Sequence, residues 1–456
     1  MKILITGARS YVAYYWALAL KDKHEVIFAD SMAMAYCRFA PFKAAFFKVA
    51  PPAQDFWGFR KDLVELVLNE AVDLIIPTCE EVFFISAFKN ELPCKVFCAD
   101  HALLATLHNK FTVFETLGFA RAVKFPETQL IRQRSDVDRS FNSILKPVFS
   151  RFGAKIITDI SLAEQAKLDV SFQWVQQRRL TGRSLCNYAI ALDGRMLGHV
   201  CYHAKHRIKH SSALYLEPME NEAITNFTRA FIAKHNYTGQ IAFDFIQTDD
   251  GRVTADLSQN LAQADLGVYM IECNPRGTSG IHLMDLSTIA PALFEDGPAI
   301  QNHLEPVAFK FPLRMYRCLK LLETRVGAFF GAELKRARDV LSHPTHPVSC
   351  LATPAALVEL LWRRLRRGIK LTEASTYDIE WNGEKLPEGA PAGSFSYWLE
   401  SESDREVVYR YGVSGKELGL IHLDRMTGGY HLLEVAQGDE GGVEGEALGQ
   451  LLVQAP

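Results

Sequence analysis

Over the first hundred residues short β-type runs alternate with helical stretches: "KILIT", "YVAYYWALALKD", "HEVIFAD", then "LVELVLNE" before "VDLIIPT". Strands separated by helix-length connections cannot form hairpins, so the pattern requires a parallel sheet with crossover helices. The first strand runs into Gly7 and the second closes on Asp30, which invites comparison with a dinucleotide site. The turn itself, "TGARSYVA", lacks the second and third glycines of that fingerprint and places Tyr11 where a pyrophosphate needs close backbone approach. A nicotinamide oxidoreductase is therefore the least favoured function. The remaining chemistry of this unit sits at its strand ends, where Thr78, Glu80 and Glu81 of "PTCEEV" are either pocket walls or solvated acids at a helix start.

A chain of 456 residues with 48% hydrophobic and 23% charged residues has room for two to four domains, and a formal net charge of −3 gives no global field for nucleic acid. The nine cysteines, at 37, 79, 94, 98, 186, 201, 273, 318 and 350, form no CxxC pair and imply reduced thiols in a cytoplasmic protein, with Cys94 and Cys98 as packing residues. No apolar run approaches a membrane span, and "MKILITGARS" is too short in apolar residues for a signal peptide.

The texture changes near residue 105. A helix in "LHNKFTVFETLGF" stops near Gly118, and Pro126 opens an extended segment. "SILKPVFSRFGAKII" puts Lys146 at the end of an apolar strand and Gly153 in a turn leading to another. Breaks at Thr181-Gly182 and Asp193-Gly194 predict antiparallel hairpins, and "NEAITNFTRAFIAKHN" predicts a helix before the strand "QIAFDFIQ". Then comes "VYMIECNPRGTSGIHL". Strand alternation sends Glu272 and Asn274 to one face and Cys273 to the other, so two oxygen ligands converge as Mg²⁺ requires, with Arg276 at the strand's mouth.

In order, Lys110, Lys146-Pro147, the turn at Gly153, the Gln-rich strand before Gly182, Asp244 in "AFDF" and "IECNPR" resemble the ATP-grasp superfamily of ATP-dependent carboxylate ligases. The N-terminal α/β unit resembles the domain that usually precedes it. The resemblance covers roughly residues 1 to 290. It implies an α/β fold: a Rossmann-like preATP-grasp domain at 1–104, an α+β ATP-grasp domain at 105–300, a mainly helical extension at 301–384, and a small β-containing unit at 385–456 with a mobile acidic tail.

The resemblance further implies ATP and Mg²⁺ (or Mn²⁺) as cofactors, with an acyl phosphate captured by an amine or other nucleophile and release of ADP and phosphate. Lys110 and Lys146 would contact the ATP phosphates, and Arg151, Phe152 and Gly153 would form a cover over them. Gln177, Arg178, Arg179 and Leu180 would run along adenine. Asp244, Glu272 and Asn274 would hold the metal, Arg276 would steady the transferred phosphoryl group, and Gly277 to Gly280, with the Ser279 hydroxyl and the Gly280 backbone, would receive the carboxylate. The family's acids near adenine and ribose are replaced by Arg178 and Ser184, so the ribose contact falls to Ser184 or to another residue. A phosphotransferase, or a nucleotide-binding protein without turnover, is the alternative.

"YHAKHRIKHSSALY" carries His203, Lys205, His206, Arg207, Lys209 and His210 and reads as a basic lip over phosphates and an acidic substrate, Arg207 and Lys209 foremost, or as a solvated loop. Small-molecule carboxylate and nucleophile substrates are the expected partners, with a homodimer or carrier protein in addition. Residues 254–267, between the two metal-bearing strands, form an excursion from the sheet. Further on, Thr353 as N-cap, Pro354 as first helical residue and Gly368 as C-cap predict an amphipathic helix with a basic face of Arg363, Arg364, Arg366 and Arg367. "YDIEWNGEKL" and "REVVYRYGV" predict β segments.

Overall fold

The structure is a computed structural model that describes residues 1–42, 44–118, 122–140, 142–150, 156–158, 160–161, 168–207, 213–248, 267–310, 313, 328–340, 349–387, 396–402, 406–412, 419–424 and 429–434. Strands β1 (Lys2–Thr6), β2 (Glu25–Asp30), β3 (Phe46–Lys48), β4 (Leu74–Ile76) and β5 (Lys95–Val96) form a parallel sheet of order β3-β2-β1-β4-β5. Helices α1 (Tyr11–Leu20), α2 (Phe56–Asn69), α3 (Glu81–Ala87) and α4 (His101–His108) connect or flank these strands, followed by α5 (Thr112–Thr116). The alternation of strand and helix in the sequence is thus realised as a Rossmann-like unit.

Helix α1 is buried on nearly all sides, as expected for a helix with no polar face. Ser10 caps it by accepting from the Ala13 amide, worth about 1 kcal/mol. Its Trp16 indole donates to Gln240 Oε1 at 2.8 Å, and Tyr15 Oη donates to the Met284 carbonyl at 2.6 Å. Gln240 also accepts from Tyr188 Oη and donates to the Pro77 carbonyl, fixing the first unit against the second.

The second unit holds two sheets. Strands β6 (Thr128–Ile131), β7 (Ser143–Pro147) and β8 (Trp174–Arg178) form a small antiparallel sheet of order β6-β8-β7. Strands β9 (Arg183–Leu192), β10 (Arg195–Arg207), β11 (Ala213–Met219), β12 (Gly239–Gln247), β13 (Val268–Asn274), β14 (Val307–Ala308) and β15 (Arg338–Asp339) form the large one, of order β13-β12-β9-β10-β11-β14-β15. Helix α6 (Glu222–Lys234), capped by Asn221, buries Ile224, Phe227, Phe231 and Ile232. Helix α7 (Leu286–Phe294) follows a 3-10 turn at Ser279–Leu283.

The Asp193-Gly194 hairpin forms as expected, both residues having positive φ (47° and 75°), the twist a two-residue hairpin turn needs. The hairpin expected at Thr181-Gly182 does not form. Strands β8 and β9 belong to different sheets, and the residues between them are the crossover. Glycine is needed there because a Cβ at 182 would lie 2.1 Å from the Gln247 carbonyl oxygen.

Helices α8 (Ala328–Arg336), α9 (Ser349–Arg367) and α10 (Leu371–Ala374) follow, and then an antiparallel sheet of β16 (Ser396–Glu402), β17 (Glu406–Gly412), β18 (Gly419–Asp424) and β19 (Gly429–Glu434). "REVVYRYGV" forms strand β17, as read. Helix α9 begins at Ser349, so Thr353 is not its N-cap and Pro354 lies within it. There, in the second turn, it forfeits one intrahelical hydrogen bond. Gly368, at φ +67°, ends the helix as expected.

Residues 377–386, expected as β, instead continue a turn to Ile379 and then run as irregular chain. Their apolar alternation misleads because both faces are claimed. Ile379 and Trp381 are buried, Trp381 stacking on Phe83 at 5.2 Å, while Asp378 is drawn in the other direction by arginines. Arg9 of the "TGARS" turn donates to Asp30 and Asp378, and Arg363 of α9 also donates to Asp378. Arg363 is accordingly buried, not part of an exposed basic face. Asp30 accepts from the Arg9 guanidinium, the Arg9 amide and the Met32 amide, so the acid at the end of β2 is fully engaged within the chain.

Candidate functional site

Strands β12 and β13 pair antiparallel with Asp244 opposite Glu272 and Ala242 opposite Asn274, and a bulge between Asp244 and Phe245 bends the strand beside the site. Cys273 faces the other way and is buried, as alternation requires. Asn274 Nδ2 donates to Asp244 Oδ2 at 3.3 Å. The three oxygen-bearing side chains read from the sequence therefore share one face, each half-buried.

Two lysines close on this face. Lys110, in the connection between α4 and α5, donates to the Ser150 carbonyl at 2.8 Å and lies 3.5 Å from Glu272 Oε1. Lys146, near the end of β7, donates to the Ile271 carbonyl at 3.2 Å. Both are buried, at 2% and 4% exposure, which rules out the solvated position usual for lysine. Burial pulls the Lys146 ammonium down, Glu272 and Asp244 hold it up, and Lys110 adds to the depression, leaving it at about 8. Two buried lysines 36 residues apart in sequence are thus brought beside one carboxylate.

Arg276 lies just beyond β13. Its Nη2 donates to Asn274 Oδ1 at 3.3 Å and its Nε lies 3.5 Å from Glu80 Oε1. Glu80 is thus the acid of the "CEEV" pair that meets this face. Glu81, expected among the pocket walls, serves the loop instead: its Oε1 accepts from Thr6 Oγ1 and from the Thr78 and Cys79 amides. Burial raises its carboxyl above the ordinary value against the pull of those donors. Both acids stand at one helix start, and no sequence signal separated them.

The turn after Arg276 is tightly packed. A Cβ at Gly277 would lie 2.6 Å from the Thr78 carbonyl oxygen, and one at Gly280 would lie 2.3 Å from Tyr188 Cβ. Gly280 therefore serves close packing on β9, and Ser279 is half-buried beside it. Thr278, not singled out from the sequence, has a buried Oγ1 with no hydrogen-bond partner among the described residues.

The segment expected along adenine lies at the end of the small sheet. Gln177 is buried and donates to Thr128 Oγ1 at 3.1 Å, Arg178 pairs with Glu127 at 2.6 Å, Arg179 is exposed and Leu180 half-buried. The amides of Arg178 and Arg179 donate to the Glu127 and Asn142 carbonyls. Ser184 lies on β9, two residues before Cys186, which stands opposite Asp244.

In the basic lip Lys205 pairs with Glu217 at 2.6 Å and His206 Nε2 lies 2.6 Å from Glu333 Oε2, so both side chains are engaged by acids of β11 and α8. Lys209 and His210 lie outside the described residues, as do Arg151, Phe152, Gly153, residues 254–266 and the acidic tail; the Arg207 backbone belongs to β10 and its side chain is outside the description. The neck of the 254–267 excursion is described: the Thr248 amide donates to the Gly267 carbonyl at 2.9 Å.

Among the described residues no three His, Cys, Asp or Glu side chains are grouped to hold a metal. What the site offers is two carboxylates and an amide oxygen. That set fits Mg²⁺, which is held by one or two carboxylates and completed by waters and substrate phosphates.

No protein-family model matches the chain, and no curated protein matches it by sequence. Its structure is similar to N5-carboxyaminoimidazole synthetase from Staphylococcus aureus complexed with ADP, with 17% identity, TM-score 0.52, and 70% of this chain and 86% of that one covered. It is also similar to an ADP complex of N5-carboxyaminoimidazole ribonucleotide synthetase, with 14% identity, TM-score 0.50 and coverage of 70% and 85%. The fold is that of the ATP-grasp proteins, with a Rossmann-like parallel sheet ahead of it.

Proposed function

We propose that the chain is an ATP-dependent ligase that activates a carboxylic acid as an acyl phosphate and joins it to an amine or other nucleophile, releasing ADP and phosphate. The observation that carries this reading is the meeting of Lys110, Lys146 and Arg276 with Asp244, Glu272 and Asn274 on one face of the β12–β13 pair. The ADP bound by two proteins of this fold supports the same nucleotide here.

On this reading Asp244, Glu272 and Asn274 would hold Mg²⁺, which would supply neutralisation of the nucleotide's phosphate charge. Lys110 and Lys146 exchange their contacts with Glu272 and backbone carbonyls for phosphate oxygens. Arg276, anchored by Asn274 and Glu80, faces the charge that develops on the phosphoryl group during transfer. Because the Arg178 and Arg179 amides are committed within the small sheet, the adenine edge falls to Leu180 and the crossover beyond it. The carboxylate lies at the Gly277–Gly280 turn, where Thr278 Oγ1 adds a donor to Ser279. Glu80, rather than Glu81, receives a cationic acceptor amine. Arg151, Gly153, Arg207 and Lys209 close over the phosphates and the acid.

A panel of carboxylates and amines scored for ATP consumption, with products identified, tests the reading. ADP in step with a condensed product is the expected result. AMP as the stoichiometric product overturns the acyl phosphate route, and a phosphorylated product with no added amine replaces ligation by phosphotransfer.

A further inference from the structure

Helix α9 keeps one face against the protein and presents an apolar one outward. Arg363 and Ala352 are buried, and the helix packs on the 3-10 turn Tyr36–Phe39. On the other side Val358, Leu361, Trp362 and Leu365 are exposed at 66%, 39%, 55% and 81%. Their spacing of three, four and seven residues puts them in one stripe along two turns. At about 100° per residue, Arg364 and Arg366 fall roughly 90° to 110° to either side of that stripe. Arg366 reaches over the Trp362 ring at 5.1 Å. Met34, 44% exposed, lies beside the helix, its amide donating to Glu359 Oε2.

The charge here is one-sided. From residue 360 to 370 the chain carries Arg363, Arg364, Arg366, Arg367 and Lys370 and no acid, in a protein of net charge −3. Glu359 is turned inward onto Arg363. An isologous contact with a second copy would set the Arg364 and Arg366 pairs near their own counterparts, a like-charge arrangement. The stripe is also convex, so a protein partner must supply a groove, whereas a bilayer needs no matching shape.

We propose that α9 docks the protein on the surface of a bilayer rich in anionic lipid, with Trp362 and Leu365 entering the headgroup boundary and Arg364 and Arg366 on the phosphates. A tryptophan and leucines on a helix flanked by arginines are the composition of a helix lying in the interface plane. Docking leaves the ATP site's residues untouched and is independent of the ligase reading. Because the opposite face is already held by Asp378, the helix needs no refolding to bind.

Co-sedimentation of the full chain with sucrose-loaded vesicles tests this. Binding is expected to vesicles of phosphatidylglycerol and phosphatidylcholine in equal parts, to fall with added salt, and to be absent with phosphatidylcholine alone. Leu365→Asp should lower the partition coefficient at least about tenfold, and Arg364→Gln and Arg366→Gln about fivefold each, all three keeping the wild-type melting temperature. Absence of binding to the anionic vesicles at low salt overturns the proposal. So does binding that all three variants retain, which would place the contact elsewhere. A wild-type dimer that Leu365→Asp dissociates, with no vesicle binding, gives the face to a second copy instead.

Discussion

Replacing Asp378 by asparagine keeps the size of a side chain that is 1% exposed and removes its charge. The carboxylate accepts four bonds: from Arg9 Nη1 at 2.6 Å, Arg9 Nη2 at 2.9 Å, Ser31 Oγ at 2.8 Å and Arg363 Nη1 at 2.7 Å. An amide has one oxygen. Whichever way it is turned, its NH₂ group faces an arginine that can only donate, so at least one charge-assisted bond is lost and a repulsive contact replaces it. A hydrogen bond to a charged group contributes about 1.5 to 3 kcal/mol. Leaving a buried charge without its partner costs about 3 to 5 kcal/mol. Asp30 still compensates Arg9 and Glu359 still compensates Arg363, so we expect about 3 kcal/mol for Asp378→Asn. Urea unfolding followed by tryptophan fluorescence measures it, Trp381 lying three residues away in the same packed segment. Arg364→Gln, on the exposed side of α9, is the control and should stay within about 0.5 kcal/mol. A loss below about 1 kcal/mol for Asp378→Asn would refute the claim that this carboxylate holds α9 against the first unit.

Glu272→Gln and Asp244→Asn should each lower kcat by more than about a hundredfold, the scale reached by removing a ligand's outer partner alone; full Mg²⁺-dependent turnover in either variant would remove it from the metal set. Lys146→Ala should weaken ATP binding by about 1 to 3 kcal/mol in calorimetry, and unchanged affinity would reject its phosphate role. Stability should fall as pH drops below about 6.5. Burial, with Arg229 beside His199 and Arg338 beside His282, lowers these imidazoles to about 4 and about 3, so the unfolded chain binds protons in that window that the folded one does not. Asp378 adds to the loss below about 3.9, since burial opposes its ionisation but Arg9 and Arg363 override it and hold it well below the usual range. A urea midpoint that is flat between pH 7 and pH 4.5 would contradict this assignment.

The parallel sheet and the face carrying Asp244, Glu272 and Asn274 were legible because both are local. Strand alternation fixes the direction of Glu272, Asn274 and Cys273, and the proline after Lys146 marks a strand end. Other features depend on contacts between distant residues. Glu80 and Glu81 are adjacent in sequence, and only the fold assigns one to Arg276 and the other to the loop. The Thr181-Gly182 break reads like a hairpin because glycine serves a tight turn and a close crossover equally well. Asp378 and Trp381 resemble strand residues until Arg9, Arg363 and Phe83 are placed around them.

The ion pair between Arg9 and Asp378 spans 369 residues. At ribosomal rates of about 5 to 20 residues per second, roughly 20 to 70 s separate the synthesis of its two ends. For that interval the nascent N-terminal unit carries Arg9 and Ser31 without the carboxylate that completes them, and Phe83 without the indole that covers it. Its parallel strands can assemble early, but its closing piece is delivered last, so a truncated or stalled chain leaves an open, partly apolar seam for chaperones and proteases to recognise.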